Sequence, residues 1–269
     1  MAINTIGFIG FGKLAKTLYH GFKHELDNNK IKLLINSRSA AANNQHSFNY
    51  VSKKIILHKA DIIILAVKPQ QLNEIIPDLS QIDWSQRCLV SLLAGVPLTI
   101  FQNKLPNLTH ALRVMPNTAA QFQQSMTTFS SLSSTHNDYE LFIKSLFSSI
   151  GSIIKIDESY MDFSTALCGS GPAFFFQLFQ AMITLAESEG MSSDDARLMI
   201  NQLAKGLSSS LENRNDPIPN LITEICSPQG TTEAGLSHLN KHKITDLWQS
   251  VFQAAKQRSI DLSKDFKSV

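Results

Sequence analysis

Apolar positions in the first part of the chain fall in short unbroken runs rich in β-branched residues. These are Thr5 to Ile9, Ile31 to Ile35, Ile62 to Val67, Leu89 to Leu93, Ala111 to Val114, Met126 to Phe129 and Ile153 to Ile156. Continuous rather than alternating hydrophobicity is what strands covered on both faces require. Helical patterns separate the runs, so the series reads as βαβ units building a parallel sheet. Beyond about Asp157 the runs stop and helix-period segments replace them: Pro172 to Glu189, Asp194 to Asn213, Asn220 to Cys226, Thr231 to Leu239 and Ile244 to about Phe266. Pro172 suits a first helical turn, Gly190 ends that helix, and Ser192 with Asp195 resembles a cap for the next. The expectation is an α/β sheet domain over residues 1–157 followed by an all-α domain over 158–269.

Composition narrows the function classes. The 269 residues give room for two modest domains. With 24 Lys and Arg against 22 Asp and Glu, no basic surface for nucleic acid or anionic lipid is implied. Three cysteines without CxxC spacing predict neither a disulfide framework nor a thiolate metal site, and reduced thiols point to the cytoplasm. Ile6 to Phe11 lacks a preceding positive region and is broken by glycines, unlike a signal peptide. Ala173 to Ala186 carries Gln177 and Gln180 and is short of the roughly 18 residues of a membrane span, so it reads as a buried helix. Charged residues make up 17% of the chain, below the usual ~25%, which predicts surface covered by a second copy.

Candidate chemistry begins at Gly10-Phe11-Gly12-Lys13-Leu14-Ala15, which follows the first strand and opens a helix. This matches the G-x-G-x-x-G/A dinucleotide fingerprint, marking the sheet domain as Rossmann-type. Its glycines permit a tight turn and close approach to a pyrophosphate, and the helix N-terminus offers N–H groups. The second strand ends Ile35-Asn36-Ser37-Arg38, with no carboxylate for a free ribose 2′-hydroxyl. Asn36, Ser37 and Arg38 suit a 2′-phosphate instead, so NADPH is the expected cofactor, with NADH as a possible substitute. Ala66-Val67-Lys68-Pro69 ends the third strand, where an open α/β sheet places its ligand.

These blocks, with Leu93-Ala94-Gly95-Val96, Arg113 to Thr118, Gly169-Ser170-Gly171-Pro172-Ala173 and Ser227-Pro228-Gln229-Gly230-Thr231-Thr232, resemble pyrroline-5-carboxylate reductase in order and spacing. The resemblance implies a Rossmann domain followed by a helical dimerisation domain, often within a decamer. It also implies NAD(P)H-dependent reduction of the cyclic imine 1-pyrroline-5-carboxylate to L-proline, the last step of proline synthesis. Ser227, Gly230 and Thr231 would bind the substrate carboxylate, and Thr232 would meet the ring nitrogen as the catalytic residue. The residues agree: Gly230 and Thr231 lie at a helix start, whose N–H groups receive an anion, although an isolated Thr there is by default a cap.

Gln229 departs from the family's glycine, Phe174 replaces a usual Tyr, and the basic residue usual after Leu221 is missing. The pairs His20/His24 and His238/His242 have i, i+4 spacing but no evident third ligand, so no metal is expected. The phenylalanine run 174–179 reads as core or interface, and Cys168 and Cys226 as inert thiols. A β-hydroxyacid dehydrogenase would need a lysine on the helix after Gly171, and residues 172–186 have none. A regulatory paralogue that binds NADP, or a reductase of a related cyclic imine, is the alternative reading.

Overall fold

The structure is a computed structural model that describes residues 3–37, 48–264 and 266. Arg38 lies outside them. All seven apolar runs form strands: β1 Thr5–Ile9, β2 Lys32–Asn36, β3 Ile62–Leu65, β4 Cys88–Ser91, β5 His110–Met115, β6 Ser125–Ser131 and β7 Gly151–Lys155. They make one sheet of order β2-β1-β3-β4-β5-β6-β7. β1 sits between β2 and β3, so the chain reverses its winding direction there.

Successive residues of β1 and β3 face opposite layers. Ile6, Phe8, Ile62 and Ile64 pack under α1 (Lys13–Asn28) and α5 (Asn137–Ser148), while Ile9, Ile63 and Leu65 pack under α2 (Lys53–Lys59), α3 (Leu72–Leu79) and α4 (Leu98–Lys104). Coverage of both faces explains why the strand sequences do not alternate. The sheet departs from the all-parallel expectation at one place, where β5 and β6 pair antiparallel. Only residues 116–124 join them, fewer than the dozen or so that a parallel crossover needs. β6 and β7 are parallel again, with α5 between them.

Two compact units form, Met1–Ser170 with Gln253–Val269, and Gly171–Phe252. The first extends past the change of sequence pattern near residue 157 because the following segment is tied to the sheet. The Arg113 guanidinium, 1% exposed, lies 3.4 Å from Glu158 and 2.6 Å from Asp162. Thr128 and Ser164 hydroxyls meet at 2.7 Å. Ser259 donates to Asp162 at 2.8 Å, which holds the end of α11 (Ile244–Lys264) in the same unit.

The expected helix start at Pro172 is corrected. Helical backbone begins earlier, with α6 (Met161–Ser164), passes through a π-helical turn over Thr165–Ser170 and continues as α7 (Gly171–Ser188). Pro172 has no N–H to give the Cys168 carbonyl four residues back. The Asn117 side-chain amide donates to that carbonyl instead, at 3.1 Å.

The second unit holds α7, α8 (Ser193–Asn213), α9 (Ile218–Ile225), α10 (Thr231–Lys241) and the start of α11. Gly190 has φ +90° where α7 has ended, and the Ser192 hydroxyl accepts from the Asp195 N–H at 3.1 Å. Only Gly171 of α7 is buried, so the expectation of a buried helix is not met within this chain. Phe176 is 65% exposed, and Leu203, Leu207 and Leu211 form an exposed i, i+4 row on α8. The run Glu158–Ser188 is long and apolar enough to cross a membrane by length and composition alone.

Candidate active site

Two regions carry the predicted site residues, one in each unit. In the first, the winding reversal at β1 opens a cleft at the carboxyl ends of β1, β2 and β3, where such sheets take ligands. The cleft holds about 430 Å³ and is lined by Gly10, Phe11 and Gly12 from the β1 turn, Asn36 and Ser37 from β2, and Ala66, Val67 and Lys68 from β3. Three segments separated by about 25 to 30 residues each are thus brought to one wall, as the sequence pattern requires.

Gly10 is fixed by two constraints. Its φ is +91°, a region that L side chains avoid, and a Cβ there would lie 2.7 Å from the Ala66 carbonyl carbon and oxygen. Gly12 differs: its φ is −77°, and a Cβ would meet nothing within 4 Å. The protein itself does not need a glycine at position 12; the open space fits a group approaching the backbone. Gly12 caps α1 without any side-chain hydrogen bond, and the first turn carries no acid. The N-terminus of α1 therefore presents its dipole and N–H groups to an anion. Phe11 is only 4% exposed and locks the turn in place through edge contacts with Tyr19, Phe48 and Tyr50.

Lys13, Leu14 and Pro69 do not line this cleft. The Lys13 side chain lies in a separate depression with Lys16 and His20, Leu14 packs on the core, and Pro69 starts a turn over Pro69–Gln71. Five lining residues were not foreseen, the apolar Ile9 and Ile75 and the polar Lys53, Gln71 and Glu74. Gln71 accepts from the Lys68 N–H at 3.2 Å and so shapes the loop after β3. Lys53 reaches the cleft because residues 49–51 run beside β2, with Ile35 donating to Asn49 at 3.0 Å and Val51 donating to Ile35 at 2.8 Å. No short motif marks such a pairing.

In the second unit, residues 226–230 connect α9 to α10. Gly230 is the N-cap, with no side-chain cap, so neither Thr231 nor Thr232 has the default capping role. Among the described residues, no hydrogen bond within the fold uses the Thr231 or Thr232 hydroxyl. The left-handed residue is Gln229, φ +60°. Glycine is needed next to it for another reason: a Cβ on Gly230 would lie 2.4 Å from the Ser227 hydroxyl oxygen.

One expectation changes here. Gly230 donates its N–H to the Ser227 carbonyl at 3.0 Å, so that donor is engaged in the turn itself and Gly230 serves shape. Glu233, missed in the sequence, accepts from the Gln229 N–H at 2.6 Å. Gln229 precedes the cap, so this bond braces the loop and leaves the N–H groups of the first turn of α10 unengaged by a side-chain cap. Elsewhere, Phe174 packs edge-on against Phe252. Burial raises the pKa of the Cys168 thiol against a weaker opposing hydrogen bond from Ser164, which keeps it protonated and unreactive.

Known proteins resemble this chain over both regions. Residues 5–95 match the family model described as NADP oxidoreductase, coenzyme F420-dependent, and residues 158–262 match that described as pyrroline-5-carboxylate reductase dimerisation. Pyrroline-5-carboxylate reductase of Pasteurella multocida is 31% identical, covering 99% of this chain and 100% of that one. The namesake from Staphylococcus haemolyticus is 29% identical, with 96% and 97% covered. Among solved structures, the Plasmodium falciparum pyrroline carboxylate reductase with NADP bound has a TM-score of 0.88 at 25% identity, covering 98% of this chain and 99% of that one. The Streptococcus pyogenes enzyme has a TM-score of 0.86 at 27% identity, covering 96% and 98%. With sheet, fingerprint cleft and helical unit all matched along its length, this chain belongs to the pyrroline-5-carboxylate reductase family.

Proposed function

We propose that this chain reduces 1-pyrroline-5-carboxylate to L-proline using NADPH, as a cytoplasmic homodimer built through its helical domain. The observation that carries the reading is the start of α10: a glycine cap over an uncapped first turn, followed by two threonines with uncommitted hydroxyls. Such a terminus receives a carboxylate without any arginine.

The N–H groups of Thr231 and Thr232, with the Ser227 hydroxyl, hold the substrate carboxylate. The Thr232 hydroxyl holds the ring nitrogen and orients the imine. NADPH, when bound, supplies the hydride. The space beside Gly12, the α1 N-terminus and the Asn36-Ser37 strand end would hold its phosphates, with Ala66-Val67-Lys68 along the same wall. The binding blocks contain no Asp, Glu or His placed as a proton donor, and Glu233 is turned back to Gln229. The imine nitrogen therefore enters protonated or takes its proton from water, and alignment accounts for the rate. The exposed apolar faces of α7 and α8 support a subunit interface.

The test is NADPH oxidation on adding 1-pyrroline-5-carboxylate, with Thr232→Ala beside the wild type. Turnover should fall roughly 10- to 100-fold, about 1.4 to 2.7 kcal/mol. Unchanged turnover in the variant removes Thr232 from the mechanism.

A further inference from the structure

We infer that Lys53 adds to Asn36 and Ser37 a cation that reads the ribose 2′-phosphate, and that Asp78 competes for it. The inference rests on the NADPH reading above and names the residue that would set that preference. Among the described residues, two lysines line the cleft. Lys68 follows β3, on the far side of β1 from β2, whereas Lys53 belongs to the segment beside β2. Its approach to the strand end is built by the backbone: Asn36 donates its side-chain amide to Val51 at 3.2 Å, in addition to the two bonds at Ile35. Lys53 follows two residues later, at the first position of α2, in the cleft wall that also contains Asn36 and Ser37.

In the structure the Lys53 ammonium pairs with Asp78 on α3, the side chains 34% and 40% exposed. A pair this open to water is weak. A phosphate monoester carries close to two negative charges at neutral pH, so it outcompetes one half-exposed carboxylate for the same ammonium. A 2′-hydroxyl offers no charge, and the pair with Asp78 then persists. Lys53 thus gains its partner only from the phosphorylated cofactor, while Asp78 keeps it in place otherwise.

The experiment is calorimetric titration of the full chain with 2′,5′-ADP and 5′-AMP, which differ only in the 2′-phosphate and require no turnover. The wild type should prefer 2′,5′-ADP. Lys53→Met should lower the ratio of the two affinities about tenfold, equal to 1.4 kcal/mol, with 5′-AMP binding reporting that the cleft is intact. Asp78→Asn should raise the ratio about threefold by freeing Lys53. If the wild type binds both nucleotides equally, the NADPH reading itself fails. If the wild type discriminates and Lys53→Met discriminates equally, the role of Lys53 is overturned while the NADPH reading stands. An unchanged ratio in Asp78→Asn overturns the competition.

Discussion

The two glycines of the fingerprint turn should fail in different ways when replaced by alanine. At Gly10 the backbone has φ +91° and a Cβ would sit 2.7 Å from the Ala66 carbonyl group and from the Val67 side chain. The left-handed conformation costs about 1 to 2 kcal/mol for a side-chain residue. Forcing an extra methyl against backbone costs a further 1 to 3 kcal/mol or so. A loss of about 2 to 5 kcal/mol corresponds to a Tm lowered by roughly 4 to 20 °C at this chain length. At Gly12, φ is −77° and a Cβ meets nothing within 4 Å. Only the difference between Gly and Ala as N-cap remains, about 1 kcal/mol or less. Gly12→Ala should therefore melt within roughly 3 °C of the wild type yet bind NADPH at least about tenfold more weakly, because the methyl occupies the space left for the pyrophosphate. Scanning calorimetry and a fluorescence titration with NADPH separate the two effects. Wild-type NADPH affinity in Gly12→Ala would refute the cofactor reading of the cleft, and a wild-type Tm in Gly10→Ala would refute the packing argument.

Gln229→Gly relieves the φ +60° conformation and should raise stability by about 1 kcal/mol, or roughly 2 to 4 °C in Tm; a lowered Tm contradicts it. Asn117→Ala removes both the donor to Cys168 and the acceptor that caps Ala119. It should cost about 1 to 3 kcal/mol by urea unfolding. Asn117→Asp, which keeps the acceptor and loses the donor, should be no better than the alanine variant, and wild-type stability in it would argue against the π-turn clamp.

The strands and most helices were legible because burial on both faces of a sheet leaves an unmistakable apolar run, and because helix ends carry local signals such as Gly190 and Ser192. The antiparallel β5–β6 pair was not, since strand direction depends on connection length rather than on either strand's residues. The π turn before Pro172 was hidden for a similar reason: the partner that makes it tolerable, Asn117, lies 51 residues away from Cys168. Within the site, Gly10, Gly12 and the start of α10 could be read from spacing because turns and caps are local. Lys53 could not, because its place is set by backbone pairing with β2. The engagement of the Gly230 N–H is not legible in sequence because the turn closes through the Ser227 carbonyl, which no side-chain pattern records. The exposed apolar faces of α7 and α8 look like core in sequence because an apolar pattern does not record whether its face is covered within the chain.

The most direct test of the account is to supply NADPH deuterated at the transferring position together with 1-pyrroline-5-carboxylate and to examine the product by mass spectrometry and NMR. The account predicts proline carrying one deuterium on the ring carbon that belonged to the imine, formed in step with NADPH oxidation. A chain that binds NADPH, stays folded and forms no labelled proline would contradict it.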